Sequence, residues 1–189
     1  MGEFLLFPNG DLPICAMRTT FAVALLVVFA LGGIGFWAHI PPLPIEGTAD
    51  SLVVDKKERT LHIYQEGEAT VTYPVALSIN PTGPKRFKGD GRVPEGQYHI
   101  DFHVPEEDAF AYKALYLSYP NPDDRRYARR QGRSPGGAIE IHGLHWSMAW
   151  MGRMHTAFDY TLGCVAVTNG QMDQLYEQVP DGTPIRIIP

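Results

Sequence analysis

Cys164 stands in the stretch DYTLGCVAVTNG, directly after a glycine and just ahead of an apolar run. A cysteine attacks as thiolate, and its ordinary pKa of about 8.5 leaves only a few per cent ionised near neutrality, so it needs a base or a positive dipole beside it. Histidine is the usual base. Beyond residue 50 the chain offers His62, His99, His103, His142, His145 and His155. Of these, His142 ends the alternating run AIEIH and is followed by Gly143, where a strand hands over to a loop and a rigid scaffold can present a side chain to a site. His62 and His99 lie inside alternating runs and read as partly exposed strand residues. His145, Trp146 and His155 fall in the loop LHWSMAWMGRMHTAFDY, where they line a pocket or face solvent. Gly163 lets backbone approach a substrate closely, and the amides of a sharp turn there can form an oxyanion hole.

Two other readings of the same residues stay open at this level. Cys164 can be a small buried hydrophobe. Alternatively HGLH, with His142 and His145 three apart and Glu140, His155 and Asp159 nearby, can ligate zinc, although that reading leaves Cys164 without a role.

The compartment bears on the choice. Thr19 to Ala38 reads TTFAVALLVVFALGGIGFWA, without a charge, and about 20 such residues at about 1.5 Å each cross a bilayer core. Arg18 precedes the run and favours an N-terminus left in the cytoplasm, with the rest exported. The segment reads as a retained transmembrane anchor, with Trp37 at the interface. A signal peptide cleaved after VFA at Ala30 is the alternative. Residues 1–18 form a short extension unlike a domain, and Met17-Arg18 offers a natural start. Cys15 and Cys164, the two cysteines of the chain, then fall on opposite sides of the membrane and cannot pair. An unpaired thiol in an exported protein is a candidate reactive group.

Residues 39–49, HIPPLPIEGTAD up to its last residue, read as a proline-rich spacer. A domain follows over 50–189. SLVVD, TLHIYQ, TVTYPVALSI, QYHIDFHV and AIEIHG alternate as strands between turn-forming stretches such as NPTGPKRFKGDGRVPEG. Met172, Leu175, Tyr176 and Val179 fall on one face of a helix, capped by Thr168 or Asn169 and stopped by Pro180 and Gly182, and TPIRIIP closes as a strand. The expected fold is a mainly β domain, sandwich or barrel-like, with one or two packed helices behind a membrane helix. A net charge of −5 gives no sign of nucleic-acid binding. The arginines of DDRRYARRQGR, Arg125 to Arg133, read by default as a solvated surface loop.

IHG at Ile141–Gly143 followed by TLGCVAVTN at Thr161–Asn169 resembles the signature of the YkuD-type L,D-transpeptidases, a histidine, a gap, then Ser/Thr-x-Gly-Cys. KGDGRVPEGQYHI, LSYPNPDD and GGAIEIHG are similar to family segments in the same order, so the resemblance runs from Leu52 to Pro189. It implies Cys164 as nucleophile, His142 as base and later acid, and Thr161 and Gly163 shaping the turn and the oxyanion site; adjacency adds the Gly143 carbonyl as acceptor of the other ring N–H of His142. Such chemistry needs no cofactor or metal, and the orientation of the membrane segment makes the enzyme periplasmic, anchored or exported. Its donor is a peptidoglycan tetrapeptide stem, and its acceptor an amine from another stem or from an envelope protein. Hydrolysis of the same bond and a non-catalytic wall-binding module are the rival readings. The sequence departs from the family at Ala166, where many members carry arginine, and at Leu162, commonly polar. Arg153 or Arg125 can take over a stem carboxylate, a task suited to a bidentate guanidinium, with His145 and Trp146 as further contacts.

Overall fold

The computed structural model describes residues 14–189, with side-chain surroundings from residue 22 onward. The chain divides into two compact units between Ile40 and Pro41. The first carries helix α1 (Ile14–Ala38) over the uncharged run. Leu26, Phe29, Leu31 and Phe36 are all exposed on it, so it is apolar all round rather than amphipathic. Among the described residues no helix is long and apolar enough to cross a membrane, the fully described part of α1 being 22–38. Residues 1–13 of the expected extension lie outside the described residues.

The second unit is built on one eight-stranded sheet. In chain order its elements are β1 (Ser51–Asp55), β2 (Thr60–Gln65), β3 (Glu68–Pro74), β4 (Gly96–Val104), β5 (Ala114–Leu117), α2 (Pro122–Arg130) and β6 (Glu140–His142). A 3-10 helix (Ala149–Ala157), β7 (Val165–Ala166), α3 (Asn169–Gln178) and β8 (Pro184–Ile188) complete it. The spatial order is β3-β2-β1-β8-β4-β5-β6-β7. The last strand thus lies inside the sheet, parallel to β1 and antiparallel to β4.

The long strands form because their apolar residues recur every second position. Leu52 and Val54, Leu61 and Ile63, and Ile185 and Ile187 all point to one buried face. Met172, Leu175 and Val179 of the α3 segment close over the same cluster. Each such side chain contributes about 1.5–3 kcal/mol by leaving water. Thr168 caps α3 by a reciprocal capping box with Gln171.

Two expectations need correction. The arginine-rich stretch is a helix, not a loop. Asn121 accepts from the amides of Asp123 and Asp124, Pro122 occupies the first turn, and the buried Asp124 carboxylate accepts from Tyr98 at 2.9 Å. Caps and a tertiary anchor replace the missing apolar face. The proline-rich stretch is also no free spacer from Pro41 on. Ile45 and Ala49 belong to the core, the Ile45 amide donates to Gln174 at 2.9 Å, and the Ala49 amide donates to Gln178 at 2.8 Å.

Candidate active site

The site forms at the end of the sheet where strands shrink to three and two residues. β6 and β7 run parallel, with Ile141 opposite Val165 and His142 opposite Ala166. Ile141 and Val165 turn into the core, so Glu140, His142 and Cys164 share the other face of this strand pair. Continuing the register by one step sets Cys164 level with Glu140 and one alternation from His142. The parallel pairing thus sets His142 and Cys164 on one face of neighbouring chain segments.

His142 is oriented from behind. Its Nδ1 donates to Gly143 O at 2.7 Å, and because a carbonyl only accepts, Nε2 is left as the basic nitrogen. Gly143 has to be glycine: a Cβ there would sit 2.7 Å from Tyr112 O and 3.0 Å from Asn169 Oδ1. Its amide donates to Tyr112 O at 2.9 Å, and the next amide, Leu144, donates to Asn169 Oδ1 at 2.7 Å. The start of α3 therefore clasps the loop that fixes the imidazole. The sequence marked Asn169 only as a capping candidate.

The turn into Cys164 is tied internally. Thr161 Oγ1 donates to Cys164 O at 2.7 Å and accepts from the Gly163 amide at 3.4 Å. Gly163 adopts φ of 144°, and a Cβ there would lie 3.0 Å from Arg92 O. The loop carrying Arg92 is held by two buried lysines. Lys56 bridges Glu95 at 2.6 Å and Gly83 O at 2.7 Å, and Lys85 bridges Asp90 at 3.0 Å. Neither lysine was singled out in the sequence, since buried lysines are rare and a run of turn residues conceals them.

The sulfur is part-exposed, and its thiol leans on Ala138 O at 3.7 Å. Burial pushes its pKa up to about 11; the Glu140 amide and Lys85 oppose that rise, while the Glu140 carboxylate adds to it. Burial also pushes His142 below its ordinary 6.5, partly offset by the Gly143 carbonyl. Both shifts favour the neutral forms, so the resting pair is thiol and imidazole rather than thiolate and imidazolium.

The remaining expected residues scatter. His145 and Trp146 line a cavity of about 350 Å³ with Phe110, Tyr112 and Leu144, and Trp146 is 82% exposed. Arg153 donates to Pro41 O at 3.3 Å. Arg125 is exposed in clefts beside Tyr119 and Pro120. His155 is fully buried, its nitrogens facing Gly152 O at 2.8 Å and Ala166 O at 3.2 Å. Ala166 is itself fully buried and bonded to Ala76 on both main-chain groups, a place with no room for a guanidinium. Among the described residues no three His, Cys, Asp or Glu side chains converge as a metal-ligand set.

Residues 49–187, which include the turn, the histidine and the sheet just described, match the L,D-transpeptidase catalytic domain family, YkuD. The chain belongs to that family. YafK of Escherichia coli (strain K12) is 27% identical over 137 residues, covering 70% of this chain and 48% of YafK. The chain thus spans about half the length of the curated relatives it matches. Among solved structures, the helical cell shape determining protein Pgp2 (K307A mutant) of Campylobacter jejuni superposes with a TM-score of 0.55 at 20% identity, covering 82% of this chain and 53% of that one. Bd1075 of Bdellovibrio bacteriovorus gives a TM-score of 0.52 at 22% identity, covering 80% and 52%. Both likenesses concern the fold, and they agree with a β-rich YkuD domain carrying a few helices.

Proposed function

We propose that this YkuD domain transfers acyl groups between amines of peptidoglycan stem peptides through a thioester on Cys164. The observation that carries the reading is the parallel β6–β7 pair. It puts an unpaired thiol and an imidazole with one free basic nitrogen on one face, within a family of L,D-transpeptidase catalytic domains.

The chemistry follows from the neutral resting pair. His142 Nε2 takes the thiol proton as sulfur attacks the carbonyl of the third stem residue, and main-chain amides of the turn into Cys164 receive the oxyanion. The imidazolium then gives that proton to the departing amine of D-alanine, leaving a thioester. An acceptor amine attacks in turn, its proton passes to His142, the C–S bond breaks, and the proton returns to sulfur. Gly143 O stabilises the imidazolium formed in each step, since the Nδ1–H bond strengthens as the ring becomes charged. His145 and Trp146, in the cavity beyond Leu144, offer a surface for the stem. Arg125, in clefts beside Pro120, serves a more distant part of the polymer.

The same proposal places the domain outside the cytoplasmic membrane, tethered through residues 19–38. α1 is apolar on all sides, and such a helix is covered only by lipid or protein. Retention in the membrane fraction after alkaline extraction is the expected result for the full chain.

The deciding experiment is a product assay with a tetrapeptide muropeptide. Cross-linked dimer, or adduct formation with an added amine, supports transfer. Loss of one residue with no dimer or amine product would replace transfer by hydrolysis, and unchanged turnover by Cys164→Ala would remove the catalytic assignment.

A further inference from the structure

Glu140 is the one acidic side chain on the reactive face of the β6–β7 pair, level with Cys164 and one alternation from His142. It is half-buried, burial raises its pKa above the ordinary carboxylate value, and among the described residues no ion pair or side-chain hydrogen bond holds its carboxyl. Several other carboxylates of the domain are engaged. Asp90 takes Lys85, Glu95 takes Lys56, Asp159 takes Arg59, and Asp173 takes Lys113 and Tyr112. A half-buried carboxylate left without a donor is costly. This one also opposes the formation of a thiolate next to it.

A group that hinders the first half-reaction yet stands beside the sulfur suits the second. Once the thioester forms, the sulfur no longer bears charge, and the Glu140 carboxylate is the unengaged acceptor of N–H bonds on that strand face. We propose that Glu140 binds the incoming acceptor amine, selecting a cationic alkylammonium over water and over uncharged nucleophiles. The inference rests on the acyl-transfer reading given above.

The ammonium docks against the carboxylate and releases one proton to solvent. The resulting amine keeps an N–H bond to Glu140, which turns its lone pair toward the thioester carbonyl. The C–N bond forms, a second proton passes from nitrogen to His142 Nε2, the C–S bond breaks, and the imidazolium returns its proton to sulfur. Atoms and charge balance without a further reactant.

The test measures how one acyl-enzyme is partitioned, a ratio independent of how fast it forms. Wild type, Glu140→Gln and Glu140→Asp are acylated with a tetrapeptide muropeptide. They are then resolved near neutral pH with Nα-acetyl-lysine amide, a cation, or with hydroxylamine, which is uncharged there. The transfer-to-hydrolysis ratio for the lysine amine should fall about tenfold or more in Glu140→Gln, as expected for a lost charge-assisted hydrogen bond. The hydroxylamine ratio should change by less than about twofold, and Glu140→Asp should fall between wild type and Glu140→Gln for the lysine amine. An unaltered lysine ratio or equal losses for both nucleophiles would overturn the inference alone, whereas a wild-type adduct resolved by water alone would overturn the proposed transfer with it. A wild type that forms no Cys164 adduct would overturn the proposed function as well, so the two failures are told apart.

Discussion

The two ends of the sheet obey different rules. At the β3-β2-β1-β8 end the strands run five to seven residues, and Leu52, Leu61, Ile63 and Ile185 alternate inward with almost no exposure. At the β6–β7 end pairing lasts two or three residues, and Gly136, Ala138 and Gly163 take positive φ. Regular pairing satisfies the backbone within the ladder and leaves side chains free to pack. Where the ladder ends, backbone carbonyls become available to side chains: Gly143 O takes His142, Ala138 O takes Cys164, and Cys164 O takes Thr161. The regular end carries the core, and the interrupted end presents the candidate site.

The largest effect should separate the two ends. His142→Ala should lower kcat/KM by about 10² to 10⁴, the usual range for losing a general acid–base, with a thermal midpoint close to wild type. Equal losses of stability and activity would mean that the histidine is structural. Leu61→Ala, at the regular end, should do the reverse, lowering unfolding stability by about 2–5 kcal/mol. In urea titrations it should leave the activity of the folded fraction unchanged.

A smaller effect comes from the buried His155, whose two nitrogens face two carbonyls although a neutral ring donates to only one. His155→Leu should cost about 1–3 kcal/mol through the carbonyl left without a donor, read as a lower denaturation midpoint. The smallest effect is on pH. His142 and His155 are both held below 6.5 in the folded chain, so the unfolded chain binds protons first as pH falls. Stability should therefore decline as pH drops through 6.5 toward the folded values. The acid limb of kcat/KM should lie below 6.5 too, because the base stays neutral to lower pH. A limb above 6.5 would indicate an imidazolium stabilised by a thiolate.

The sequence disclosed what depends on local pattern. Period-two alternation located the long strands, the i, i+3, i+4 spacing and Thr168 located α3, and residue types put His142 and Cys164 forward as candidates. What it concealed depends on tertiary partners. Helix α2 has almost no apolar face and is held by Asn121, Pro122 and the Tyr98–Asp124 bond. Proline made 41–49 look like a spacer, yet Ile45 and Ala49 enter the core. Lys56 and Lys85 were hidden among turn residues. Glu140 was considered only beside a zinc reading, although AIEIH already placed it on the same strand face as His142.

The most direct measurement of the central claim is intact-protein mass spectrometry, with peptide mapping, during turnover of a tetrapeptide muropeptide. The account predicts a transient mass gain equal to the stem acyl group, confined to the Cys164 peptide, sharply slowed in His142→Ala and absent in Cys164→Ala. Donor consumption with no adduct on Cys164, sustained by Cys164→Ala, would contradict it.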